Sequence, residues 1–185
     1  MTTRAKATMT VDEFLVWTEG QEGRFELHDG RVVAMSPERV AHAEMKGRVY
    51  RALDESIRRL GAPCHALPDG VAVRVSESSC YEPDALVYCG PAAPGDALEI
   101  PNPIVVVEVL SPSTARIDVV RKLAGYFDVP TVAHYLIINP DEPPIIHYRR
   151  QPDGTILALI VPSGAISLDP PGLVIDISSL YPQVT

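Results

Sequence analysis

The chain has 185 residues, of which 46% are hydrophobic and 22% charged, with a formal net charge of −8. A chain of that length supports one sizeable core, and that balance excludes a disordered polymer. No apolar run reaches membrane-spanning length, and an acidic surface opposes sequence-independent binding to phosphate backbones, which draws on basic residues.

Residues 1–9 read as a flexible tail and 10–185 as a single domain. No apolar stretch of the signal-peptide kind follows Met1 to Lys6, so a cytoplasmic protein without a membrane partner is expected. Thr10-Val11-Asp12-Glu13 is a capping-box pattern and predicts a short helix to about Thr18 that buries Val11, Phe14 and Leu15. Arg24 to His28 and Arg31 to Met35 read as two strands joined by Asp29-Gly30, a two-residue hairpin turn. Met45, Val49, Leu53, Ile57 and Leu60 recur at helical spacing and predict a long helix over 41–60. Its arginines 48, 51, 58 and 59 lie off that stripe, as a solvated face or as a basic ridge near a phosphate backbone. Strands are expected at Val71–Val75 and Asp84–Tyr88, antiparallel to each other across a loop from Ser76 to Cys80. Gly90 to Pro103 read as an exposed loop.

Ile104 to Leu110 is a continuous, largely β-branched apolar run between Pro103 and Pro112, the pattern of a strand buried on both faces. Ser113 or Thr114 caps a following helix to about Asp128, with Ile117, Val120, Leu123 and Phe127 as its buried stripe. His134 to Ile138 is the next strand, parallel to the first through a crossover. A hairpin of 145–149 and 155–161 follows over Asp153-Gly154, and short apolar pieces at 173–177. The order of elements predicts an α/β (α+β) fold, a mixed central sheet flanked by helices, with hairpins in the N- and C-terminal parts. Cys64, Cys80 and Cys89 are odd in number and lack Cys-x-x-Cys spacing. They are expected as reduced, half-buried thiols rather than disulfides or zinc ligands, and the adjacent His65 does not complete a zinc site.

Glu108 interrupts the apolar run. A lone buried carboxylate costs several kcal/mol if charged and unpaired, so it must be protonated, paired or bound to a metal. Along a strand it shares its face with Val106 and Leu110, which offer no partner. Asp84 on a neighbouring strand and Lys122 on the following helix are the candidates for one site with it. Two hard oxygen ligands with room for water suit Mg²⁺ or Mn²⁺. Blander readings stand beside each: a turn cap for Asp84, and for Lys122 a surface salt bridge with Asp118.

The run Arg24-Phe25-Glu26-Leu27-His28-Asp29-Gly30, then Met35-Ser36-Pro37 with His42, Pro83-Asp84, Val107 to Ser113, and Asp118, Lys122 and Tyr126 resembles the Uma-type restriction endonucleases of the PD-(D/E)XK nuclease superfamily. The resemblance implies a restriction-endonuclease-like fold and an Mg²⁺-dependent endonuclease acting on nucleic acid, chiefly DNA. It implies Asp84 and Glu108 as metal ligands and a lysine beside the attacking water. The usual lysine position, two after the Glu, holds Leu110 here, so Lys122 takes the role. Glu26, His42 and Tyr126 are auxiliary candidates; as alternatives, Glu26 pairs with an arginine, His42 caps or packs, and Tyr126 fills space. The family often has Tyr-Trp in the next strand and an Asp at its end, where this chain has Tyr135-Leu136 and Asn139.

Rival classes are a catalytically inactive binding module, which the acidic charge favours, and a glycosidase, which two carboxylates also allow. Aromatic residues at 6% argue against a sugar cleft. No Gly-x-Ser-x-Gly elbow supports a serine hydrolase at Ser111 or Ser113. Duplex cleavage needs two centres, so a two-fold homodimer is expected, with Leu173, Val174 and Ile175 as interface material.

Overall fold

The structure, a computed structural model, describes residues 8–111 and 116–181, and the side chains of all of these but residues 116–118. Helix α1 (Val11–Thr18) starts on the capping box: Glu13 N donates to Thr10 Oγ1 at 3.3 Å, and Thr10 N donates to the Glu13 carboxylate at 2.8 Å. Strands β1 (Phe25–His28) and β2 (Arg31–Ala34) pair antiparallel. Their turn residues Asp29 and Gly30 have φ of 49° and 73°, as a tight two-residue hairpin requires. A Cβ on Gly30 would lie 2.6 Å from Thr8 Cβ, so the glycine also lets the N-terminal segment pass close by.

Helix α2 (Val40–Leu60) ends at Gly61 in the left-handed conformation. Strands β3 (Cys64–Pro68), β4 (Val73–Ser76), β5 (Ser79–Tyr81), β6 (Ala85–Cys89) and β7 (Pro103–Val109) follow. Helix α3 (Arg116–Asp128) connects β7 to β8 (His134–Ile138), and β9 (Ile145–Arg150) and β10 (Ile156–Val161) form a hairpin. The C-terminal part is the hairpin β11 (Ala165–Leu168) and β12 (Leu173–Asp176) with the short helix α4 (Ile177–Leu180).

The main sheet has the order β10-β9-β8-β7-β6-β3. Strand β7 is interior, antiparallel to β6 and parallel to β8. Its side chains alternate between two cores. Val105, Val107 and Val109 pack with Met45, Val49, Leu53 and Ile57 of α2, and Val106 packs with Tyr126 and Val129 on the α3 side. A second sheet, β2-β1-β5-β4, carries the N-terminal hairpin and packs with α1 around Val11, Phe14, Leu27 and Cys80.

Several expectations need correction. Strand β6 pairs with β3 and β7, not with the strand before it, because Cys64–Pro68, a stretch ending in proline, forms a strand of the main sheet. Ser79–Tyr81 is a strand and not loop. The expected stripe of α3 is turned: Val120 is 66% exposed, while Lys122 and Tyr126 are buried. Leu60 is exposed at the end of α2. Ile100, in the loop expected to be exposed, is buried, and the loop's Glu99 bridges to Ala72. The antiparallel register sets Cys64 directly opposite Cys89, and the two form a disulfide, leaving Cys80 as a buried free thiol. Leu173 and Ile175 are buried against α2 within the chain, so of the three expected interface residues only Val174 faces outward. Arg48 and Arg58 pair with Glu44 and Asp54 one turn earlier, the solvated-face reading of those positions. The caps expected at Ser113 and Thr114 and the Asp118 side chain lie outside the described residues.

Candidate active site

Asp84 immediately precedes β6, whose Ala85 pairs with Val107, so it stands beside the Val107–Val109 end of β7. Asp84 is fixed from both directions. Its N–H donates to Val107 O at 2.9 Å, and its Oδ2 accepts from Val109 N at 2.7 Å. Burial pushes its carboxyl up to about 6, with the Val109 N–H and the Lys46 charge pulling the other way.

Glu108 receives its partners from α3. Lys122 Nζ donates to Glu108 Oε1 at 3.0 Å, and Tyr126 Oη donates to the same oxygen at 2.6 Å. Lys122 and Tyr126 stand one helical turn apart, which is why one helix face reaches one carboxylate twice. The helix comes this close because residue 125 is glycine. A Cβ there would lie 2.8 Å from the Tyr81 ring and 3.1 Å from Val75 Cγ2. Burial pushes Glu108 up to about 7; Lys122 pulls it down, and the Asp84 and Glu26 charges push it up again. Lys122 is held in the charged form, since its two carboxylates outweigh its burial.

Glu26 reaches the same lysine from β1, in the other sheet. Its Oε1 accepts from Lys122 Nζ at 2.9 Å and from Glu82 N at 2.9 Å, and its Oε2 lies 2.9 Å from His28 Nε2. Burial opposes its charge, but His28 and Lys122 outweigh that and hold it at about 2. Lys122 thus ties β1 to β7, one sheet to the other.

His42 and Lys46 approach from α2. His42 Nε2 donates to Val109 O at 2.9 Å and lies 3.6 Å from Asp84 Oδ2. Lys46 Nζ donates to Asp69 at 2.6 Å and to Glu38, and stands 3.8 Å from Asp84 Oδ1. Arg24 bridges the same Glu38 and Asp69 to Glu82. Sequence reasoning missed this network. Its one local signal is a lysine inside an otherwise apolar helix face, at position 46, four residues after His42.

Glu26, His42, Asp84, Glu108 and Lys122 line one cleft of about 730 Å³, walled by Met35 to Arg39 and by Pro140 and Asp141. Tyr126 lies beneath it, fully buried. All six candidates therefore converge. The donors suit a divalent ion: the buried Glu26 and Asp84 and the half-buried Glu108 share one site with Lys122, and desolvation pushes the Asp84 and Glu108 carboxyls up. Glu108 Oε1 takes both hydrogen bonds, and Oε2 has none among the described residues.

Comparisons with known proteins bear on the family and the fold. The sequence matches the Uma2 family, described as "Putative restriction endonuclease", over residues 11–179. It is 28% identical over 152 residues to "Uncharacterized protein slr1290" of Synechocystis sp., covering 82% of this chain and 79% of that one. Its fold is similar to a crystal structure described as "a putative nuclease belonging to DUF820" from Anabaena variabilis, with a TM-score of 0.71 at 17% identity, covering 94% of this chain and 97% of the other. No helix among the described residues is long and apolar enough to cross a membrane. With most of its length matched, the chain belongs to the Uma2 family.

Proposed function

We propose that the chain is a divalent-metal-dependent endonuclease that hydrolyses phosphodiester bonds of nucleic acid, chiefly DNA. The observation that carries the reading is the Lys122 ammonium within 3.0 Å of Glu108, in a cleft that Asp84 also lines. Asp84 and Glu108 are the ligands for Mg²⁺ or Mn²⁺. Such an ion supplies Lewis acidity toward the phosphate and lowers the pKa of a bound water.

The chain's own residues do the rest. Lys122, kept charged by two carboxylates, faces the negative charge that builds on the phosphate in the transition state. Glu26 holds the lysine from the far side, and His28 holds Glu26. Tyr126 fixes the Glu108 rotamer. His42 anchors the end of β7 through Val109 O, which keeps the Asp84–Val109 contact in register. Two centres in a two-fold homodimer would cut both strands of a duplex.

The net charge of −8 favours a second reading, a catalytically inactive binding module of the same fold. Mg²⁺-dependent hydrolysis of labelled DNA by the wild type, abolished in Glu108→Gln and Lys122→Met, supports the enzyme. DNA binding with no hydrolysis under any divalent ion supports the module.

A further inference from the structure

We infer that Glu38, His42 and Asp84 form a second cation site, selective for a borderline divalent ion such as Co²⁺ or Zn²⁺ rather than for Mg²⁺. It rests on the proposed hydrolytic reading only in sharing Asp84.

The first observation is the state of the His42 ring. Val109 O can only accept, so His42 Nε2 carries the hydrogen of their 2.9 Å bond. That leaves Nδ1 as the nitrogen with a lone pair to offer. His42 is 9% exposed, and its Nδ1 has no hydrogen-bond partner among the described residues. A buried lone pair without a partner is costly.

What faces Nδ1 is the second observation. Glu38 Oε2 lies 3.4 Å away and makes no hydrogen bond with it. The other oxygen of Glu38, Oε1, is the one held by Lys46 and Arg24. Two electron-pair donors therefore face each other across a gap. Ligands about 2.1 Å from an ion at the tetrahedral angle lie roughly 3.4 Å apart. One donor atom from each of Glu38, His42 and Asp84 lies within 4.8 Å of the other two, with the Asp84 carboxylate beside the ring, 3.6 Å from Nε2.

The surrounding charge fits a dication. Glu38, Asp69, Glu82 and Asp84 supply four negative charges, and Arg24 and Lys46 supply two positive ones. The residual two are matched by one divalent ion. The donor set sets the choice of ion. An imidazole nitrogen with carboxylates suits Co²⁺ and Zn²⁺, whereas Mg²⁺ takes oxygen and water. Val109 O is the outer partner that fixes the ring and its tautomer, as a metal-binding histidine needs. An ion here would tie α2 to the end of β7 and add positive charge beside Asp84.

The test is a Co²⁺ titration of the full chain, followed by proton NMR in water and by calorimetry, in wild type, Glu38→Gln, His42→Gln and Glu108→Gln. The wild type is expected to show one far-shifted exchangeable resonance, the His42 Nε2–H sheltered by Val109 O. It should vanish in His42→Gln and persist in Glu108→Gln, while Glu38→Gln weakens Co²⁺ roughly tenfold or more. No such resonance in the wild type, or a Co²⁺ affinity unchanged in Glu38→Gln, overturns the site. Those two results decide the matter even if His42→Gln does not fold. A Mg²⁺ response that survives Glu108→Gln, with the Co²⁺ resonance intact, would sink the hydrolytic reading and leave this site standing.

Discussion

Lys122 sits 3.0 Å from Glu108 although the two belong to different elements and Leu110 fills the position where a strand lysine would stand. The ammonium arrives from α3 instead, and the same nitrogen binds Glu26 at 2.9 Å. Lys122→Met removes the cation shared by the buried Glu26 and the half-buried Glu108. Breaking a buried pair in this way costs on the order of 3 kcal/mol. The urea midpoint should fall accordingly, and Glu26→Gln added to Lys122→Met should return most of the loss. A midpoint unchanged in the single variant would contradict the shared pairing.

Much of this was legible before the fold. The Glu108 strand announced itself as a two-sided apolar run, and a charge inside it required a partner. That Lys122 is the partner came from the family resemblance, since spacing alone equally allowed a surface pair with Asp118. The helix stripe misled because apolar Val120 faces solvent while Lys122 and Tyr126 turn inward. A charged side chain carries no hydrophobic signal of its burial. The Cys64–Cys89 bond and the Glu38–Lys46–Asp69 cluster were invisible because strand register and long-range contacts make them.

Gly125 is the reason α3 can stand so close to the β4–β5 hairpin. Gly125→Ala would set a methyl 2.8 Å from the Tyr81 ring. Overpacking of this kind costs about 1–3 kcal/mol, against the gain in helix propensity of about 1 kcal/mol that an exposed site would show. The variant should lose stability and move Lys122 from its carboxylates, lowering any hydrolytic rate. A higher melting temperature in Gly125→Ala would show that the helix is not held there.

A buried histidine pair sets a pH limit on stability. His134 Nε2 donates to Pro170 O at 3.0 Å, so His134 Nδ1 accepts from His147 Nε2 at 2.9 Å. Burial pushes both rings down to about 4. The unfolded chain binds protons at about pH 6.5 and the folded chain does not. Stability from the neutral pair is therefore full above that pH and lost as pH falls toward 4, by on the order of 3 kcal/mol for each ring. Urea midpoints measured across that window should fall, and His147→Phe should flatten the slope. Equal slopes in the two proteins would remove the pair as the cause.

The disulfide joins β3 to β6 at the edge of the main sheet and closes a span of 25 residues. In the chain-entropy picture that is worth about 3 kcal/mol. Reductant should lower the melting temperature of the wild type and leave Cys64→Ala/Cys89→Ala unmoved. A reductant effect of equal size in both would assign the change to something other than this bond.

Nicking of supercoiled DNA by purified protein tests the proposed centre most directly, with Mg²⁺ present or chelated, in wild type and Asp84→Asn. Wild type should nick only with Mg²⁺, and Asp84→Asn should lose at least about a hundredfold in rate, the scale of removing one electrostatic contact to a transition state. Equal nicking by the two proteins, or nicking that persists under chelation, would contradict a metal-dependent centre at Asp84 and Glu108.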